Sequence, residues 1–191
     1  KYFNFIGICD NALSNEECQI IIDEFEDNKH LHIDGKSGGG IQPHVKKSTD
    51  ISYHITDDSK TTKIITSSLV KHLEEYKKKY PEVDKLMAWK FHENFNVQRY
   101  KPKEGYYKTH CEVVGMNGRE NRVLVWMFYL NDVDNGGTKF TTYNAIINAP
   151  QGSNDDRIYV YHHGEAVSPS LLPTYSDIQT IISEWTDSIT L

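Results

Sequence analysis

Cysteine is scarce in this chain of 191 residues, which holds only Cys9, Cys18 and Cys111. Three thiols so widely spaced make neither a disulfide framework nor a zinc cluster, and they suit a reducing, cytoplasmic setting. No apolar run approaches the roughly 20 residues of a membrane-spanning helix, and no signal-peptide pattern is visible. Basic residues are outnumbered, 21 Lys and Arg against 27 Asp and Glu, giving a formal charge of −6. That balance lacks the basic footprint of a general nucleic-acid binder. The strongest basic run, Lys77-Lys78-Lys79, follows Glu74-Glu75 on a helical stretch and reads as a solvated face. Arg157 is the last cation in the chain.

What is present fits one globular domain over 1–191, with 38% apolar and 25% charged residues. Twelve tyrosines suit a half-wet cavity, since each joins an apolar ring to a hydrogen-bonding tip. Ser14-Asn15-Glu16-Glu17 has the form of a capping box, and Cys18, Ile21, Ile22 and Phe25 follow at helical spacing. Gly35 to His44 is too rich in Gly and Pro for regular structure, so it reads either as a surface connection or as a lid over a site. A second helix is predicted over Thr61–Lys79, with Ile65, Leu69, Leu73 and Tyr76 on one face and Pro81 as its stop signal.

After Trp89 the pattern becomes β-rich. Strands are predicted at Phe95–Tyr100, Tyr106–Val114, Arg122–Leu130, Phe140–Ile147, Ile158–Tyr161 and Ile178–Trp185. Such spacing points to an antiparallel sandwich or barrel. The expected organisation is a mainly helical N-terminal support over 1–88 and a β core over 89–191 that carries the chemistry.

Within that core, Tyr106-Tyr107-Lys108-Thr109-His110-Cys111-Glu112 stands out. On a strand, His110 and Glu112 share a face with α-carbons about 6.5 Å apart, which suits two ligands of one metal. With a second histidine from a distant strand they would complete a 2-His-1-carboxylate triad, the geometry of non-haem Fe(II) oxygenases. His-x-Glu alone is common. His30 and His32 read as solvated, and His44, His54, His72 and His92 show no partner at ligand spacing.

The wider order is more specific. Arg99-Tyr100, Gly105, Tyr107, His110 and Glu112 are followed by Arg122 through Tyr129-Leu130-Asn131-Asp132, Gly136-Gly137-Thr138-Lys139-Phe140, His162-His163-Gly164 and Trp185. This sequence of motifs, over roughly residues 97–185, resembles the prolyl-4-hydroxylase-like family of Fe(II)/2-oxoglutarate dioxygenases. The resemblance implies a double-stranded β-helix, a cupin-like jelly roll, with N-terminal helices packed outside. It implies Fe(II) on His110, Glu112 and His162, the last preferred over His163 because it stands two residues before Gly164. Tyr100 and Tyr129 would line the 2-oxoglutarate pocket, with Gln179 at its far end and Arg122 at the substrate mouth. The implied reaction consumes O2 and 2-oxoglutarate and hydroxylates a C–H bond of a peptidyl proline, another protein side chain or a small molecule. Ascorbate is compatible with that chemistry.

Three departures matter. Glu112 replaces the usual Asp, and Gly152-Ser153-Asn154-Asp155-Asp156 stands where an apolar strand is expected. Gln179 occupies the position of the Lys or Arg that anchors the far carboxylate of 2-oxoglutarate. An unpaired buried carboxylate costs several kcal/mol, so either a base from another strand such as Lys139 or Arg99 compensates, or the site binds 2-oxoglutarate weakly, prefers another keto acid or has lost activity. The missing cation is the main argument for a competing reading, a non-catalytic jelly-roll module that binds a metal or ligand. A zinc hydrolase on the same three ligands is a further alternative, which the Tyr-Leu-Asn strand disfavours.

Overall fold

The computed structural model describes residues 1–86, 89–91, 93–111, 122–133, 136–141, 143–148 and 157–166. The chain opens with a two-residue hairpin, β1 (Tyr2–Phe3) and β2 (Ile6–Gly7), followed by α1 (Asn15–Asp27). A short 3-10 turn at Lys29–Leu31 leads into β3 (Ile33–Asp34) and β4 (Thr49–His54). Then come α2 (Lys60–Lys79), α3 (Val83–Leu86), β5 (Trp89–Phe91) and β6 (Asn94–Tyr100). The last elements are β7 (Arg122–Tyr129), β8 (Gly137–Phe140), β9 (Ala145–Asn148) and β10 (Arg157–Ala166).

Both predicted helices form, and for the expected reasons. The amide of Glu17 donates to Ser14 Oγ at 3.2 Å while Glu17 Oε2 accepts the Ser14 amide at 2.8 Å, closing the capping box of α1. Ser59 caps α2 by a single side-chain bond, its Oγ accepting the Thr62 amide at 2.9 Å. Helix α2 ends at Lys79, two residues before Pro81. Lys77, Lys78 and Lys79 in its last turn favour the negative end of the helix dipole. No helix among the described residues is long and apolar enough to cross a membrane.

The main sheet is antiparallel, ordered β3-β4-β6-β10, with β5 continuing along the same flank of β10 and β7 on the other. Alternation along β4 and β6 sorts their side chains onto two faces. Ile51, Tyr53, Phe95 and Val97 turn towards the helices and pack with Ile21 and Phe25 of α1 and Ile65 and Leu69 of α2. Phe128 and Leu130 join this cluster from β7 and its end. The rings of Tyr53 and Phe95 stack at 5.4 Å across the β4–β6 pair. Leu73, Val83, Val123 and Leu124 form a second cluster at the far end of α2. Tyr76, the last predicted residue of the apolar face of α2, donates its hydroxyl to Phe5 O at 2.6 Å, and burial pushes that phenol well above its ordinary pKa.

Several expectations change. The β structure begins before Trp89: β4 lies in the stretch expected to be mainly helical, yet it pairs with β6 from Thr49↔Arg99 to His54↔Asn94. The predicted Phe140–Ile147 strand is a hairpin instead. Its strands β8 and β9 pair from Gly137↔Asn148 to Phe140↔Ala145, turning through Asn144 in the left-handed region (φ 45°). Gly137 is required there: at φ 143° a Cβ would lie 2.4 Å from the Ile147 carbonyl oxygen. Between Gly35 and His44 the expected irregular loop carries a tight bridge between Ser37 and Gly40. The predicted strand at Ile178–Trp185 lies outside the described residues.

Ile65 is fully buried where α2 meets the sheet. Ile65→Ala is expected to lower unfolding stability by about 2–5 kcal/mol through lost burial and a residual cavity, measured as a shift in the urea midpoint at constant m-value.

Candidate functional site

The sheet face opposite the helices carries a buried polar network. Asp50 and Gln98 are cross-strand partners on β4 and β6, and both are nearly inaccessible. Lys46 Nζ donates to Asp50 Oδ2 at 2.8 Å, and Ser48 Oγ donates to Asp50 Oδ1 at 2.7 Å. Gln98 Nε2 also donates to Asp50 Oδ2, at 3.2 Å, while the Tyr100 hydroxyl donates to Gln98 Oε1 at 3.2 Å. Lys46 and Asp50 side chains are each 5% exposed, so the carboxylate must be compensated, and three donors do this. The close approach of Gly35 completes the packing, because a Cβ at that position would lie 2.0 Å from Ser48 Oγ. The sequence does carry a signal for this network. Lys46, Ser48 and Asp50 alternate with period two, a polar stripe on one face of a strand.

The same segment anchors the chain that leads to His110. Tyr107 donates its amide to Val45 O at 2.7 Å, and the Lys47 amide donates to Gly105 O at 2.9 Å. Lys46 and Tyr106 therefore form an isolated antiparallel bridge, but no strand continues through 107–111. This corrects the strand expected from Tyr106. Local contacts hold the segment instead: Tyr107 donates its hydroxyl to Lys103 O at 2.9 Å, and His110 Nδ1 lies 3.0 Å from Lys108 O. His110 is exposed, with its ring stacked on Tyr106 at 4.0 Å between centroids. Glu112 and Gln179 lie outside the described residues.

The other predicted site residues divide between the elements. Tyr100 is buried at the end of β6 within the polar network. Tyr129 closes β7 half-buried, its hydroxyl 2.6 Å from Thr138 Oγ1 on β8. Arg122 is the first residue of β7, described for its backbone alone. On β10, His162 is in register with Trp126 of β7, and His163 with Val125.

The two cations considered as substitutes for the one missing at Gln179 lie on different strands, β6 and β8. Arg99 lies on the helix-facing side, with Nη1 2.5 Å from Glu26 Oε1 and its guanidinium 5.4 Å over the Phe25 ring. Lys139 is exposed on β8.

A cleft of about 440 Å³ opens between the N-terminal segment and β7, within the size range of small-molecule sites. Tyr129, Met127, Thr138, Phe140 and Cys9 are among the residues lining it, whereas Tyr100 and His110 are not. Among the other histidines, His30 is exposed as expected. His32 is a packing group: its ring stacks on Phe25 at 4.4 Å, with Nε2 2.9 Å from Phe25 O. His72, expected to lack ligand neighbours, stands close to Cys9 and Glu75.

Comparison with solved structures gives the architecture a precedent. The chain aligns with a viral collagen prolyl hydroxylase from Paramecium Bursaria Chlorella virus-1, solved as a 2-oxoglutarate complex, at a TM-score of 0.59. The alignment covers 83% of this chain and 94% of the viral one at 17% identity. The fold is similar to that of prolyl hydroxylases. A second example is a Pseudomonas putida prolyl-4-hydroxylase, with a TM-score of 0.57 and 10% identity over 81% of this chain and 89% of that one. At these identities the likeness establishes shared architecture and leaves the chemistry to the residues. No protein-family model and no curated protein matches the sequence.

Asp50→Ala is expected to destabilise the chain by about 3–5 kcal/mol, because Lys46 then remains buried and uncompensated. The double replacement Lys46→Met with Asp50→Leu is expected to recover most of that loss. A double-mutant cycle in urea measures both.

Proposed function

We propose that this chain is an Fe(II)- and 2-oxoglutarate-dependent oxygenase with a jelly-roll core, hydroxylating a C–H bond of a peptidyl proline or another protein side chain. The observation that carries this reading is a fold similar to that of a prolyl hydroxylase solved with 2-oxoglutarate, joined to the motif order from Arg99 to Trp185. In this reading His110, Glu112 and His162 hold the iron, Tyr100 and Tyr129 border the 2-oxoglutarate pocket, Gln179 stands at its far end, and Arg122 meets the substrate.

The donor chemistry of His110 fits such an iron. A carbonyl can only accept, so Nδ1 carries the hydrogen shared with Lys108 O, and Nε2 is the nitrogen that would bind a metal. Iron bound there with 2-oxoglutarate and O2 would supply the oxidising power for C–H hydroxylation. This chain's own residues do the rest. The Tyr129 and Thr138 hydroxyls are hydrogen-bonded at 2.6 Å and could present a hydroxyl to a carboxylate oxygen. The network of Asp50, Gln98 and Tyr100 fixes the strand end from which the ligand-bearing segment departs. The cleft beside β7 offers a partly apolar space in which a ligand can be shielded from water.

One observation favours a second reading. With Gln179 in the anchoring position and no cation after Arg157, the chain could bind a ligand without turning it over. An anaerobic binding experiment with Fe(II) and 2-oxoglutarate, followed by succinate measurement on admitting O2, separates the two. Succinate is expected, and His110→Ala, Glu112→Ala and His162→Ala should each reduce it by at least about a hundredfold, since even outer partners of metal ligands cost 10–100-fold. His163→Ala should leave it nearly unchanged. Ligand binding with no succinate from the folded protein would establish the non-catalytic module instead. Gln179→Arg is expected to tighten 2-oxoglutarate by about 10–100-fold, the equivalent of one charge-assisted hydrogen bond, read by anaerobic calorimetry.

A further inference from the structure

Far along the sequence from the ligands proposed above, three donor groups of different chemistry converge. Cys9 follows β2, and His72 and Glu75 stand one turn apart on α2, with one ligand atom of each lying within 4.8 Å of the others. Spacing of i and i+3 puts His72 and Glu75 on one helix face. Cys9 reaches that face because the chain on both sides of it is tied to α2: Ser68 Oγ donates to Ala12 O at 2.6 Å after β2, and Tyr76 donates to Phe5 O at 2.6 Å before it. The arrangement thus depends on two tethers that flank Cys9 in sequence.

The histidine is already set in the form a metal needs. His72 Nδ1 lies 2.9 Å from Ser68 O on the preceding turn. A carbonyl only accepts, so the ring hydrogen is on Nδ1 and Nε2 presents a lone pair. A carbonyl partner on the far nitrogen is the usual orienting bond of a metal-bound imidazole. Cys9 and His72 are half-buried and Glu75 is exposed, so the group combines a held pair with a mobile third ligand at the solvent edge.

We propose that Cys9, His72 and Glu75 form a second metal site, suited to Zn(II), which clamps the segment after β2 to helix α2. Thiolate, imidazole and carboxylate are all established zinc donors. Tetrahedral coordination with metal–ligand distances of about 2.0–2.3 Å brings donor atoms to roughly 3.3–3.6 Å from one another. Rotation of the exposed Glu75 side chain and a shift of order 1 Å reach that geometry. Three protein ligands leave a fourth position for water. On binding, the Cys9 thiol releases its proton to solvent and the metal takes the sulfur lone pair; no oxidant or reductant takes part.

The test uses the full chain, freed of metal by chelation and kept anaerobic, with Co(II) as the spectroscopic probe. Tetrahedral visible bands and a near-ultraviolet sulfur-to-cobalt band are expected, displaced by one equivalent of Zn(II). Cys9→Ser should abolish the sulfur band, and His72→Ala and Glu75→Gln should weaken metal affinity by about tenfold or more. Cys111→Ser and His110→Ala should retain it, which separates this site from the proposed iron centre. A protection experiment on the unaltered chain covers any variant that fails to fold. Zn(II) should slow alkylation of Cys9 by iodoacetamide at least about tenfold, with Cys18 as internal reference. The proposal is overturned by a sulfur band that follows Cys111 or Cys18, by unchanged affinity in His72→Ala, or by equal Cys9 alkylation with and without Zn(II).

Discussion

The packing of α1 and α2 against one face of the sheet is the constraint on which the rest of this structure depends. Ile21, Phe25, Ile65 and Leu69 meet Ile51, Tyr53, Phe95 and Val97 in one cluster. Because strand side chains alternate, committing these residues to the helices commits their neighbours to the opposite face. Asp50, Gln98 and Tyr100 are placed there by the same register that buries Ile51 and Val97. A one-residue slip of β4 against the helices would exchange the two sets, driving a carboxylate into the apolar layer.

The polar network is more than a by-product of that register. It buries a Lys–Asp pair whose desolvation is costly, and it lies where the 45–47 segment bridges to Tyr106. The segment bearing His110 therefore leaves the sheet from a fixed point. Beyond it the contacts include short-range ones, His110 with Lys108 and Tyr106, and Tyr107 with Lys103.

The opposite layer has its own organisation. Helix α2 contributes Ile65 and Leu69 to the core, Tyr76 to a tether on Phe5, and His72 and Glu75 to a face beside Cys9. One helix thus supports the sheet and gathers donors from a segment more than 60 residues earlier.

Sequence by itself determined the helices, several central strands and the order of the motifs. These rest on local rules: a capping box at Ser14, a 3.6-residue apolar period in α2, a β-branched and aromatic run in β7. It also singled out His110 as a candidate ligand, because ligand type and spacing are one-dimensional properties. What only the tertiary structure decided are contacts between distant segments. Sequence placed Arg99 as a candidate for the missing cation, but the helix above β6 supplies Glu26 and engages it. Sequence read His72 as isolated, and the fold brought Cys9 to it from across the chain. The stripe of Lys46, Ser48 and Asp50 could be read as alternating, but its burial required β6 and Gly35 to close over it. In each case the deciding quantity is which surfaces exclude water together, and no local stretch of sequence contains that information.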